Sequence, residues 1–211
     1  MDRVRQNGGT FGIIAAIFFA ILFLLVMTSG LRPEAFADPA KVLPLARAGG
    51  RWTITGLAGV LGTVFSTLFT VGLFAHLREK APTRSYAILV FGVVGSVGYA
   101  LGSLAQWIGG AQVAAATDQV AASHAWVALS AVVSSFNALG NAFVGAALLV
   151  AGWAISGTRA LSSAVGWLAI IGGVLTVLGL FTTNSALFLL SFLLVIVWIG
   201  WAGYEMRRAT S

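Results

Sequence analysis

Neutral polar side chains recur along one face of a long apolar stretch. Ser130, Ser134, Asn137 and Asn141 are followed by Gly145 and Gly152, at spacings of 4, 3, 4, 4 and 7. At about 100° per residue these spacings keep all six residues on one side of a helix. The preceding apolar stretches carry similar series, which are Gly59, Thr63, Ser66 and Thr70, and then Gly92, Ser96, Tyr99, Ser103 and Gln106.

We define the polar stripe as Gln106, Ser130, Ser134, Asn137 and Asn141. Two interpretations of it remain open. Small and hydroxyl-bearing residues let membrane helices approach closely, and their hydrogen bonds across helices contribute about 0.6–2 kcal/mol each. Alternatively, the amides line a cavity for a neutral or amphipathic ligand, because an amide buried without a partner is costly.

The two histidines are the other candidate ligands. His76 ends the second apolar block and His124 precedes the fourth, so each could bind a haem or a chlorophyll-type pigment near a membrane surface. The predicted topology places them at opposite faces of the membrane, where they cannot bracket one haem. The alternative is that both are ordinary interfacial histidines.

Most other chemistry lacks the residues that it needs. The chain has no cysteine, which excludes disulfides, thiolate metal sites and thiol nucleophiles. The aspartates Asp2, Asp38 and Asp118 lie outside the apolar blocks, and no GxSxG elbow or phosphate-binding glycine loop is present. We therefore predict no enzymatic activity, no metal site and no cofactor.

The elements that carry these residues are membrane helices. Of 211 residues 59% are hydrophobic and 9% are charged, with a mean hydropathy of +0.97, whereas soluble domains are about 25% charged. Crossing a bilayer takes roughly 20 apolar residues. Six blocks meet that length, and we place them at 11–29, 54–75, 86–109, 125–154, 164–181 and 186–204. The sequence predicts an all-α, polytopic integral membrane protein, a six-transmembrane-helix bundle forming a single membrane domain over 1–211.

The first block resembles a signal peptide in its flanking residues. Its apolar run, 11–27, exceeds the usual signal core of about 7–15 residues, so we expect it to be the first membrane helix. The segment 30–53 is predicted to be the longest connector, on the outer side. Within it, 40–48 could lie on the membrane surface as a short amphipathic turn or be a plain connector.

Cations predict the orientation, because cytoplasmic loops carry an excess of Lys and Arg. With the N-terminus inside, eight cations lie inside and four outside, which favours an N-in/C-in topology in a bacterial inner (plasma) membrane. The seven tryptophans are predicted to form belts at the two interfaces. We assign the net charge of +6 to topology and to contacts with lipid headgroups, and expect no nucleic acid partner.

Two runs resemble a known group of proteins. They are TLFTVGLFAHLREKAPTRSYAILVFGVVGSVGYALGSL and SSFNALGNAFVGAALLVAGWAISGTRALSSAVGWLAIIGGVLTVLGLF. The second contains Arg159, Leu161, Gly166-Trp167-Leu168 and Gly172 in the spacing R-x-L-S-x-x-x-G-W-L-x-x-x-G. Both resemble the bacterial six-helix membrane proteins grouped as the DUF4386 type. The resemblance covers about two thirds of the chain; it implies a six-helix fold, and it brings no activity and no functional residue.

Function is then predicted from what the helices carry. With no charge at mid-depth, no catalytic group and many glycine-rich faces, we expect a non-catalytic accessory or structural subunit of a larger bacterial inner-membrane complex. Its partners would be the lipid bilayer and other membrane-protein subunits. The alternatives are a binder or carrier of a neutral or lipid-like molecule at the polar stripe, and a pigment or haem binder through His76 or His124.

Overall fold

The computed structural model describes residues 2–29, 33–182 and 184–209, and every regular element in them is helical. The α-helices are α1 (Asp2–Met27), α2 (Pro39–Ala48), α3 (Gly50–Leu77), α4 (Pro82–Leu104), α5 (Gly110–Ala114), α6 (Gln119–Thr158), α7 (Ser163–Leu178) and α8 (Ser185–Arg208). Short 3-10 turns cover Pro33–Ala37 and Gly179–Phe181. One π-helical turn, Ala105–Gly109, joins α4 to α5.

Six of these helical segments are long and apolar enough to cross a membrane. They are Arg3–Met27, Gly50–Leu77, Pro82–Ala114, Gln119–Thr158, Ser163–Phe181 and Ser185–Arg208. This confirms the prediction of an all-α chain with six candidate spans, as in a multi-pass membrane protein.

Each candidate span is longer than its predicted apolar block, and at α6 a polar cap sets where the helix begins. The Asp118 carboxylate accepts hydrogen bonds from the backbone N–H groups of Val120 (2.9 Å) and Ala121 (3.1 Å), so α6 begins six residues before the predicted block. With 40 residues α6 is about 60 Å long, roughly twice the thickness of a bilayer core. One end of α6 therefore projects well beyond the shorter α7.

The six long segments form a closed ring in chain order. Each packs against its neighbour in the sequence, and α8 returns to pack against α1. We call the end of the ring that holds residues 2 and 209 the termini end, and the opposite end, where α2 lies, the cap end. At the termini end Glu205 on α8 accepts hydrogen bonds from the Ser162 backbone N–H (2.7 Å) and hydroxyl (2.5 Å) at the start of α7.

Glycines allow the close approach of neighbouring helices in the ring. A Cβ built on Gly8 of α1 would lie 2.4 Å from the Gly72 Cα of α3. A Cβ on Gly98 of α4 would lie 2.9 Å from the backbone nitrogen of Gly140 on α6. The GxxxG run that begins at Gly98 is therefore used for packing within this chain.

The described part of the predicted connector 30–53 is largely helical, so 40–48 is an amphipathic element and not a plain connector. It contains α2, which begins after the N-cap Asp38, and its residues Val42, Leu43 and Ala46 are buried. They pack in a cluster, which we call the cap, with Ala114, Ala122, Trp52 and Trp126. The apolar face of α2 is thus covered by α5, α6 and α3 of the same chain, not by the membrane surface.

The prediction that all seven tryptophans form interfacial belts is also wrong. Trp52 and Trp126 are buried in the cap, where their rings meet edge to face with centroids 6.0 Å apart. Trp198 is buried against Phe69 inside the ring. Trp153, Trp167 and Trp201 are exposed on the outside of the bundle, as a belt requires. Trp107 is half-buried against the cap. These four indoles pack within the bundle because a buried indole contributes a large apolar area.

Candidate functional site

The helical ring surrounds a cavity of about 480 Å³. It extends from the middle of the bundle, at Ser66, Ser96 and Val195, to the cap end, at Phe36 and Arg51. Ligand pockets in proteins have volumes of about 300–1,000 Å³, so this cavity has the size of a small-molecule site.

The cavity has two chemically different walls. Helices α1 and α8 supply a mostly apolar wall, whose side chains include Phe19, Leu22, Phe23, Phe188, Phe192, Val195 and Ile199. Helices α3, α4 and α6 and the π-helical turn supply a polar wall, whose side chains include Thr63, Ser66, Ser96, Tyr99, Ser103, Gln106, Ser130, Ser134, Asn137 and Asn141. The division suits a molecule with one apolar part and one uncharged polar part.

The structure brings every residue of the predicted polar stripe to this polar wall. Ser130, Ser134, Asn137 and Asn141 reach it from α6, and Gln106 reaches it from the π-helical turn. π-Helical turns are frequent at functional sites, and this one also brings Trp107 to the cavity. The Trp107 ring lies flat against the backbone of Gly56, where a Cβ would come within 2.3 Å of its Cγ.

The amides of the polar wall differ in their partners. The Tyr99 hydroxyl of α4 donates a hydrogen bond to Asn141 Oδ1 on α6. The Asn137 Oδ1 atom lies against Gly102, at 2.5 Å from where a Cβ on that residue would stand. Within the described part of the chain, neither Asn137 nor Gln106 makes a hydrogen bond through its side chain. Both amides are accessible from the cavity, where a ligand or water can supply the missing bonds.

Arg51 is the one charged side chain among the described residues that line the cavity, and it lies at the cap end. Its Nη2 donates to the Leu25 backbone carbonyl (2.9 Å) and to the Thr28 hydroxyl. The guanidinium thereby satisfies a carbonyl at the C-terminal end of α1, where a cation is favoured by the helix dipole. The interior of the cavity is otherwise uncharged over the described residues.

The histidines lie at opposite ends of the ring and neither lines the cavity. His76 Nε2 lies 3.2 Å from the Ala160 backbone oxygen, and its Nδ1 is buried without a partner among the described residues. No ring nitrogen of His76 is therefore open to a pigment. His124 is exposed near the start of α6. The described residues contain no group of three side chains that could hold a metal ion.

The apolar wall and the tryptophans of the cavity were not anticipated from the sequence. Phe19 and Phe23 on α1, and Phe188 and Phe192 on α8, are each four residues apart, and Phe19 meets Phe192 edge to face at 5.9 Å. Paired aromatics at helical spacing were a usable signal for one face of each helix. Their position across the cavity from the amides depends on the pairing of α1 with α8, for which the sequence offers no pattern.

No family model, no curated protein and no solved structure matches this chain. The resemblance to the DUF4386 type therefore stays a prediction.

Proposed function

We propose that this chain is a multi-pass protein of the bacterial inner membrane that binds a neutral or lipid-like amphipathic molecule in its central cavity. The observation that supports the proposal most directly is the cavity of about 480 Å³ with an amide-bearing wall facing a phenylalanine-bearing wall. A polar head would supply partners for Asn137 and Gln106, and an apolar tail would lie against α1 and α8.

Packing alone is a weaker explanation of the stripe. Amides that serve packing hydrogen-bond across the helix interface. Asn141 does so through Tyr99, whereas Asn137 and Gln106 face the cavity without a bond in the described part of the chain. Both amides are accessible from the cavity, so the polar part of a bound molecule can supply the hydrogen bonds that neighbouring helices do not.

The orientation that we propose is N-in/C-in. The termini end carries Arg3, Arg5, Arg78, Lys80, Arg84, Arg159, Arg207 and Arg208, whereas the described residues at the cap end carry Lys41, Arg47 and Arg51. The positive-inside rule then places the termini end in the cytoplasm. The cavity, which reaches the cap end, would be filled from the outer half of the membrane.

The accessory-subunit hypothesis stays a prediction, and one of the observations that favoured it now has another explanation. Glycine-rich faces were among its grounds, and several of them are occupied by neighbouring helices of this same chain. The absence of catalysis likewise stays a prediction.

A matched pair of variants on α6 tests binding. Ser134 lines the cavity and its neighbour Ser135 does not. The probe is a monoacylglycerol with a photoreactive diazirine in its acyl chain, added to the protein in phospholipid vesicles. Ser134→Trp should strongly reduce labelling of cavity peptides because the indole fills the site, and Ser135→Trp should leave it at the wild-type level.

Labelling that is equal in the two variants, or that is confined to the outer surface of the bundle, would refute the proposed function. Thermal unfolding in detergent checks that both proteins are folded.

A further inference from the structure

The lining of the cavity changes with depth, and helix α3 provides the scale. Its residues Arg51, Thr55, Gly59, Thr63 and Ser66 line the cavity on successive turns, starting at the cap end. At 1.5 Å per residue, the distance from Arg51 to Ser66 along α3 is about 22 Å. One leaflet of a bilayer core is about 15 Å deep, so this length suits one acyl chain together with a head group.

The amides lie one to three turns deeper than Arg51. The Trp107 ring lies against Gly56, which places its neighbour Gln106 about 8 Å deeper than Arg51 along α3. The amide of Asn137 lies against Gly102, one residue before the serine that contacts Gly59. Asn137 is therefore about 12 Å deeper than Arg51.

The phenylalanine-bearing wall begins at a greater depth. The Phe19 ring lies against Gly62, where a Cβ would come within 2.7 Å of two of its carbons. This level is about 17 Å from Arg51 along α3. Phe192 of α8 meets the Phe19 ring at the same level. From the cap end inwards, the cavity thus presents a cation, then uncharged amides, then aromatic rings.

The cation at the cap end has no ion pair among the described residues. Only the Nη2 group of Arg51 makes described hydrogen bonds, so its Nε and Nη1 groups keep their N–H donors. The carboxylates of Asp38 and Asp118 cap α2 and α6 instead. An arginine carries its charge at any physiological pH, so the partner it favours at the cap end is an anion.

Building on the proposed function, we propose that the bound molecule is an acidic glycerolipid with one acyl chain, such as a lysophosphatidate. Its phosphate lies at Arg51, and its glycerol and ester group lie at the depth of Gln106 and Asn137. Its chain lies deeper, against Phe19 and Phe192. A fatty acid carries its charge directly on the chain, so with its carboxylate at the cap end it offers the amides no polar group. A neutral lipid offers the cation no partner.

The test compares lipids that differ only in the phosphate. Myristoyl lysophosphatidate and monomyristoylglycerol share a chain and a glycerol ester, whereas tetradecanoate and tetradecanol form an acidic and a neutral pair without glycerol. Each is measured by its ability to displace the photoreactive monoacylglycerol from wild-type protein in phosphatidylcholine vesicles. We expect the lysophosphatidate to bind about 5- to 12-fold more tightly than monomyristoylglycerol, and more tightly than tetradecanoate. Added salt should reduce this preference, because it screens an exposed charge.

Three variants connect the preference to one side chain. Arg51→Gln removes the charge but keeps an N–H donor, and it should abolish the preference for the phosphate. Arg51→Lys keeps the charge and should retain most of it. Lys41→Gln is the matched control, because Lys41 is a cation at the same end that does not line the cavity. The preference is a ratio measured on one protein, so a loss of folded protein does not change it, and the partitioning of the lipids is the same for every variant.

Each adverse outcome has a distinct meaning. Equal displacement by the lysophosphatidate and monomyristoylglycerol in the wild type overturns the acidic head and leaves the cavity as a site for a neutral lipid. A preference that Arg51→Gln retains, or that Lys41→Gln abolishes, overturns it too. Tighter binding of tetradecanoate than of the lysophosphatidate overturns the glycerol part. Displacement by none of the four, with labelling that Ser134→Trp does not reduce, overturns the proposed function as well.

Discussion

Trp126→Phe should make the cap open more often, because it removes one hydrogen bond that holds the cap together. Trp126 is 2% exposed, and its indole N–H donates a 3.0 Å hydrogen bond to the backbone carbonyl of Phe36. That bond holds the 3-10 turn before α2 against the start of α6. Phenylalanine keeps an aromatic ring in the cluster but cannot donate the bond.

The expected change in the free energy of opening the cap comes from the lost hydrogen bond and from the smaller side-chain volume. A hydrogen bond contributes about 0.5–1.5 kcal/mol net, and a carbonyl left unpaired costs about 1–3 kcal/mol; these two figures overlap and are not summed. The smaller ring adds a cavity cost. We expect the free energy of opening the cap to fall by about 2–3 kcal/mol, which raises the open population by about 30- to 150-fold.

Hydrogen exchange of α2 measures this opening, because exchange of protected amides follows local unfolding. Peptides from 39–48 should exchange about 30- to 150-fold faster in Trp126→Phe than in the wild type. The control is Trp167→Phe, whose indole is 60% exposed and should leave exchange in α2 unchanged. Similar exchange in the two variants would refute the cap as a unit held by the Trp126 bond.

Three further outcomes are expected. Gly72→Ala should destabilise the bundle by about 1–3 kcal/mol in detergent unfolding, because the new Cβ would lie 2.3 Å from the Gly8 Cα. Gly179→Ala, with open space around the new Cβ, is the control and should have no effect. Gly102→Ala should push the Asn137 amide out of place and weaken probe binding about 2- to 12-fold, measured by displacement. In this Cys-free chain Lys80→Cys should react with a membrane-impermeant thiol reagent only in inverted vesicles and Lys41→Cys only in intact cells, and the reverse pattern would contradict the N-in/C-in orientation.

Local patterns were enough to predict the helices. Apolar blocks of bilayer length predicted six spans, and the 3.6-residue period predicted that Ser134, Asn137 and Asn141 share a face. The ends of the helices were less accurate, since capping groups such as Asp118 lie beyond the apolar residues that define a block. The amphipathic character of 40–48 was visible in the sequence, but its packing into the cap was not, because its partners Ala114, Ala122 and Trp126 lie far along the chain.

The sequence by itself determined the composition of each helix face, because hydrophobicity and periodicity are properties of residues close together in the chain. The tertiary structure decided what those faces meet. Tyr99 and Asn141 are 42 residues apart, and Phe36 and Trp126 are 90 apart, so neither contact follows from a local pattern. Closing the ring between α1 and α8 places phenylalanines opposite amides, and that pairing turns a polar stripe into one wall of a cavity.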